Sequence, residues 1–231
     1  MSNKDPVITL YYDSQAQHAI YSHILKGETT IGSEHPSPVL NDKTVEKAHL
    51  SITLKGSTIH ILNKSTKHGT CAIIPPHTPT QLKYHQYIVI GVTWISFTKE
   101  NGKAVIALIR PDFTVINCCR VDYGRTLIIG RSTTKCDIAL KDTCVSKTHI
   151  RVTINEEEIE CEDLGSANHV FISLDELSIE KSESSPLLRL GEKTFLKYEY
   201  KEAPAMKAKM ECFFPENPAK YMGFRLIKAI L

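Results

Sequence analysis

The sequence predicts an all-β protein of two antiparallel β-sandwiches in tandem, followed by a short C-terminal tail. Three observations carry that expectation. The chain repeats itself about one hundred residues on, short runs alternate apolar and polar residues, and turn-forming clusters separate those runs at the spacing of a sandwich.

The repeat comes first, because it sets the boundaries. Ile31-Gly32-Ser33 is matched by Ile129-Gly130-Arg131, 98 positions later. Val45-Glu46-Lys47-Ala48-His49 is matched by Val145-Ser146-Lys147-Thr148-His149, 100 positions later. Val7–Tyr12 corresponds to Val105–Arg110, and Trp94–Lys99 to Phe195–Tyr200. Four landmarks in one order at nearly one spacing indicate a duplication, with units expected at 1–100 and 103–200. The join falls at Asn101-Gly102, a turn dipeptide with almost no linker around it, so the units are expected to share a fixed interface.

Within each unit the elements are strands. In the first, Val7–Tyr11, Leu50–Leu54 and Thr58–Leu62 are rich in β-branched and aromatic residues, several with period two. In the second, Lys103–Ile109, Phe113–Asn117, His149–Ile154 and Thr194–Tyr200 repeat the pattern. No sustained helical period occurs before residue 201. In the tail (201–231), Leu226 and Ile230, and Ile227 and Leu231, stand at i, i+4. A short helix is expected there that packs on the sandwiches or docks a partner or second copy.

Composition narrows the function. Apolar residues at 42% and charged residues at 23% fit an ordinary folded domain and not a disordered or fibrous one. No stretch approaches the length of a spanning helix, and Met1–Asp5 lacks the apolar core of a signal peptide. An intracellular location with no membrane partner is therefore expected. A net charge of +2 disfavours a nucleic-acid partner bound through bulk charge. Seven cysteines without CxxC spacing, and histidines without an HExxH pair, imply no metal; reduced thiols are expected. Gly191-Glu192-Lys193-Thr194 lacks the earlier glycine of a phosphate loop, and no GxSxG elbow or kinase series occurs. Neither an enzyme nor a cofactor is predicted.

The second unit carries the chemistry. Gly130-Arg131, Asp137–Leu140, Ser146-Lys147-Thr148-His149 and Asp163-Leu164-Gly165-Ser166-Ala167-Asn168 follow in order. This series resembles the forkhead-associated (FHA) domain, whose pattern is GR, SxxH and DLxSxNGT. The resemblance covers about residues 103–200 and implies a β-sandwich whose end loops bind phosphothreonine peptides. A phosphothreonine offers about −1.5 to −2 charges and three acceptor oxygens. Arg131 would supply a planar donor fork, Ser146 a hydroxyl donor and Lys147 a positive charge. Asn168 would fix the peptide backbone, and His149 would brace the loop from inside. His169-Val170 replaces the family's Gly-Thr, so the loop bearing Asn168 is expected to be rebuilt, since histidine resists a backbone that glycine permits.

The first unit departs the other way. It keeps Gly32, His49 and Gly69-Thr70 but has Ser33 at the arginine position and Glu46 at the serine position. A carboxylate facing a phosphate repels it, so this unit is expected to keep the fold without phosphothreonine binding. Its Lys67-His68-Gly69-Thr70 stretch is similar to the N-terminal FHA region of the nibrin family, which continues into BRCT units where this chain has a second sandwich.

The resemblance implies a non-enzymatic reader of a phosphothreonine-containing protein, an adaptor in kinase signalling such as the DNA-damage response or cell cycle, nuclear rather than cytoplasmic. The alternative is a phosphate-independent scaffold using both sandwiches and the tail, with a further protein partner or a homodimer.

Overall fold

The computed structural model describes residues 4–12, 15–34, 40–180 and 186–202. Apart from residues 201 and 202, the tail and its expected helix lie outside the described residues. Among those described, every regular element is a strand. In chain order they are β1 (Lys4–Tyr11), β2 (Ala19–Ile24), β3 (Glu28–Ile31), β4 (Leu50–Lys55), β5 (Thr58–Asn63), β6 (Thr70–Ile73), β7 (Thr80–Lys83), β8 (Tyr87–Ile90) and β9 (Thr93–Glu100). The second half supplies β10 (Lys103–Ile109), β11 (Val115–Val121), β12 (Arg125–Gly130), β13 (Ile138–Ala139), β14 (Ile150–Ile154), β15 (Glu158–Asp163), β16 (Phe171–Leu174), β17 (Glu176–Glu180), β18 (Leu188–Leu190) and β19 (Thr194–Glu202). Among the described residues no helix is long and apolar enough to cross a membrane.

Three sheets form: β11-β10-β9-β8-β16-β6-β18-β19-β1-β2, β13-β12-β14-β15-β7, and β17-β5-β4-β3. All pairs within them are antiparallel except β12 with β13. The strands β5, β14 and β15 alternate buried and less buried residues, as sheets with one covered face do.

The expected partition into 1–100 and 103–200 needs correcting, because the strands do not assort by sequence half. One core joins Ile8, Leu10, Ile52 and Ile61 to Ile179, Leu188, Leu196 and Tyr198. The other joins Leu82, Ile88, Ile95 and Phe97 to Ile106, Ile129, Val152 and Ile159. Each sandwich thus takes its last three strands from the other half: β7–β9 complete the second, and β17–β19 complete the first. The pairings are equivalent, with Ile8 opposite Tyr198 and Ile106 opposite Phe97.

The cause is the turn. Asn101 and Gly102 both have positive φ (51° and 73°), the two-residue hairpin geometry in which Lys103 pairs with Glu100. Two residues cannot carry the chain to another sheet, so β9 must lie beside β10 and not beside β1. The vacant edge of β1 is then filled by β19. The halves also meet at the centre of the ten-stranded sheet, where β6 pairs with β16. There a further cluster of Cys71, Val89, Trp94, Phe171 and Phe195 lies on the face opposite the two cores. The buried Arg189 guanidinium stands over the Phe171 and Phe195 rings and donates to the carbonyls of Gly91, Gly191 and Glu192. The cysteines are free thiols among the described residues, and burial pushes Cys71 up to about 11 and Cys161 up to about 12.

Candidate phosphate-binding site

The four candidate binding residues sit on three loops at one end of the second sandwich. Gly130 closes β12, and a Cβ there would lie 2.6 Å from the Lys147 carbonyl oxygen, so only glycine lets the two segments approach. Gly32 is tighter still, with a Cβ 1.9 Å from the Lys47 oxygen. The approach is sealed by Arg131 N donating to Ser146 O (2.8 Å) and Ser132 N to Lys147 O (3.0 Å). Arg131 Nε donates to Val145 O at 3.0 Å, which anchors the side chain. Its terminal amino groups form no ion pair among the described residues, and neither does the exposed Lys147.

His149 ties the loops from below. It is fully buried; its Nδ1 accepts from Ser146 N (3.0 Å), so its Nε2 carries the proton and donates to His169 O (3.1 Å). His49 repeats the arrangement, with Nδ1 accepting from Glu46 N (3.2 Å) and Nε2 donating to Gly69 O (2.8 Å). Burial holds both imidazoles below the ordinary histidine value, so both stay neutral.

Ser146 Oγ accepts from Ala167 N at 3.2 Å, which leaves its own hydroxyl proton to donate outward. Asn168 Nδ2 donates to Cys144 O at 2.8 Å, so one end of its amide braces the loop and the carbonyl end remains to accept. The loop that carries it is not rebuilt. His169 holds φ at 62°, against 63° at Gly69, and its carbonyl keeps the bond to the buried histidine. The expected rearrangement is therefore absent; the left-handed backbone is kept at a cost of about 1 kcal/mol. Gly69 could not make the reverse change, because a Cβ would lie 2.3 Å from the Tyr87 hydroxyl.

The matching end of the first sandwich is filled by its own carboxylate. Glu46 Oε1 accepts from Ser65 Oγ (2.6 Å), Thr66 N (2.9 Å) and Lys67 N (3.0 Å), and Oε2 accepts from Thr66 Oγ1 (3.2 Å). Burial works against the charge, but these donors outweigh it and hold Glu46 below the usual carboxylate range. Lys47 is engaged by Glu34 at 2.8 Å. His68, at the position of Asn168, donates from Nε2 to Pro111 O (3.0 Å) and rests edge-on against Trp94. Gly32, His49, Gly69 and Thr70 thus frame a loop whose donors already hold an anion.

Sequence reasoning missed a pair of aspartates. Asp142 Oδ1 accepts from Cys144 N (2.8 Å) and Oδ2 from Val92 N (3.0 Å), joining the Ser146 loop to the β8–β9 turn of the other half. Asp42 does the same in the first sandwich, accepting from Thr44 N (3.0 Å), Lys193 N (2.8 Å) and Thr194 Oγ1 (3.0 Å). Burial would raise Asp42, but these bonds hold it low. The signal was present, since both aspartates stand three residues before the repeated Val45 and Val145.

Residues 127–187 match the FHA domain family. No curated protein matches the chain. A solved structure that matches is the FHA domain of CT664 protein from Chlamydia trachomatis, 23% identical over 38% of this chain and 89% of that one, with a TM-score of 0.24. FHA domains are phosphothreonine-binding recognition modules and not a catalytic family.

Proposed function

We propose that the chain is a non-enzymatic reader of phosphothreonine peptides, with Arg131, Ser146 and Lys147 holding the phosphate and Asn168 holding the peptide backbone. The observation that carries the reading is the asymmetry between equivalent loops. One end has Ser146 where the other has Glu46 and presents Arg131 and Lys147 without ion pairs among the described residues, whereas the other encloses the Glu46 carboxylate. Charge-assisted bonds to a phosphate are worth roughly 1.5–3 kcal/mol each, so an anchored arginine and an open hydroxyl suffice for a selective contact.

The first sandwich then serves as a framework whose strands complete the reader. The partner is a phosphothreonine-containing protein, and the protein acts as an adaptor in a kinase-dependent pathway. A nuclear location and a role in the DNA-damage response or cell cycle follow from the family resemblance. Screening the whole chain against an oriented phosphothreonine library, beside Arg131→Ala and unphosphorylated controls, tests the reading. Selection that needs both phosphate and Arg131 supports it. Binding indifferent to phosphate favours the scaffold alternative.

A further inference from the structure

Beside the phosphate loops the second sandwich is open, because β11 and β13 are the edge strands of its two sheets. A groove of about 890 Å³ lies there, with Leu108 and Leu140 as buried floor and Val92 and Ile116 as half-exposed walls. That volume is within the roughly 300–1,000 Å³ range of ligand clefts. Four of the six large apolar residues exposed among those described, Val92, Phe113, Val115 and Ile116, belong to the groove or to the β10–β11 hairpin that borders it. Single exposed apolar residues need no explanation, but a cluster marks a contact surface.

The rim is basic. Arg110 and Lys141 line it and form no ion pair among the described residues. The carboxylate of Asp142, the acidic member of the lining, is spent on the backbone amides of Val92 and Cys144. The groove lies within reach of the phosphate loop, since its lining residue Lys141 is followed five residues on by Ser146. Their Cα atoms are thus at most about 18 Å apart, which an extended peptide of roughly six residues spans.

We propose that this groove is a second contact for the same phosphopeptide, taking an apolar side chain flanked by acidic residues; the proposal rests on the reading of Arg131 and its neighbours as the phosphate site. Apolar walls receive the side chain, and Arg110 and Lys141 attract the flanking carboxylates. Val92 belongs to the exchanged β8–β9 turn, so the groove exists only in the strand-exchanged assembly.

The test uses the whole chain and two synthetic phosphothreonine peptides of about 13 residues, long enough to reach the groove in either direction. One carries leucine and glutamate on both flanks, the other serine and glycine; fluorescence anisotropy reads the affinities. The leucine–glutamate peptide is expected to bind about tenfold tighter. Ile116→Asp and Lys141→Glu, each at an exposed side chain, remove that gain without weakening the serine–glycine peptide, and melting temperatures verify folding. Equal affinities, a gain that survives both variants, or variants that change only the oligomeric state would overturn the groove and leave the phosphate site standing. Absence of phosphate-dependent binding to either peptide, with Arg131→Ala indistinguishable, would remove both.

Discussion

At Arg131 and Glu46 the same loop architecture meets opposite charges, and the consequences differ residue by residue. Arg131→Ala should weaken a phosphothreonine peptide at least about 30-fold while leaving the fold intact, because the side chain is exposed; titration calorimetry and thermal melting read the two effects separately. His169→Gly should raise stability by about 1 kcal/mol, or a few degrees in Tm, because it relieves a left-handed backbone that the histidine carbonyl already occupies. A fall in Tm would instead mean that the imidazole contributes packing worth more than the strain. The buried histidines set an acid limit. Their folded-state pKa lies below the ordinary value of 6.5, so the unfolded chain binds more protons in the window beneath it. Stability is then full above about pH 6.5 and falls as pH drops toward the lowered values. Tm measured from about pH 7.5 to about pH 5.5 should decline, and His149→Gln should flatten the slope.

The elements that hold the site come from both halves of the chain. Asp142 binds the Ser146 loop to the turn between β8 and β9, and it has no place in the phosphate contact itself. Asp142→Ala should therefore weaken phosphopeptide binding about tenfold with Arg131 intact, and Asp142→Asn, which keeps one of the two acceptors and turns an amide NH2 toward the other backbone N–H, should restore only part of it. The strands themselves were legible in the sequence, because period-two alternation and β-branched runs report directly on a half-buried sheet. The loop motif was legible too, because glycine at the close approach of Gly130 and histidine at its buried core position leave fixed spacings. Partner choice was not legible. Each half carries a complete set of strand patterns, and alternation says which face is buried but not which copy of a strand lies alongside. The decisive cue was the two-residue turn at Asn101-Gly102, which the sequence displays but whose consequence depends on sheet geometry.

At the scale of the whole molecule, strand exchange changes what counts as a folding unit. Residues 103–200 alone lack β7, β8 and β9, and so lose Leu82, Ile88, Ile95 and Phe97 from the second core. Burial of each such side chain is worth roughly 1.5–3 kcal/mol, a total of about 6–12 kcal/mol that matches the whole stability of an ordinary domain. That fragment should fail to fold, whereas residues 73–174, which hold every member of that core, should fold and retain Arg131-dependent binding; circular dichroism and size exclusion distinguish the two. The most direct measurement of the central claim is amide NMR of the whole chain titrated with a phosphothreonine peptide. Shifts at Arg131, Ser146, Lys147 and Ala167, with Ser33, Thr66 and Lys67 unmoved, are the expected result. Shifts centred on Thr66 and Lys67, or a pattern identical with the unphosphorylated peptide, would contradict it.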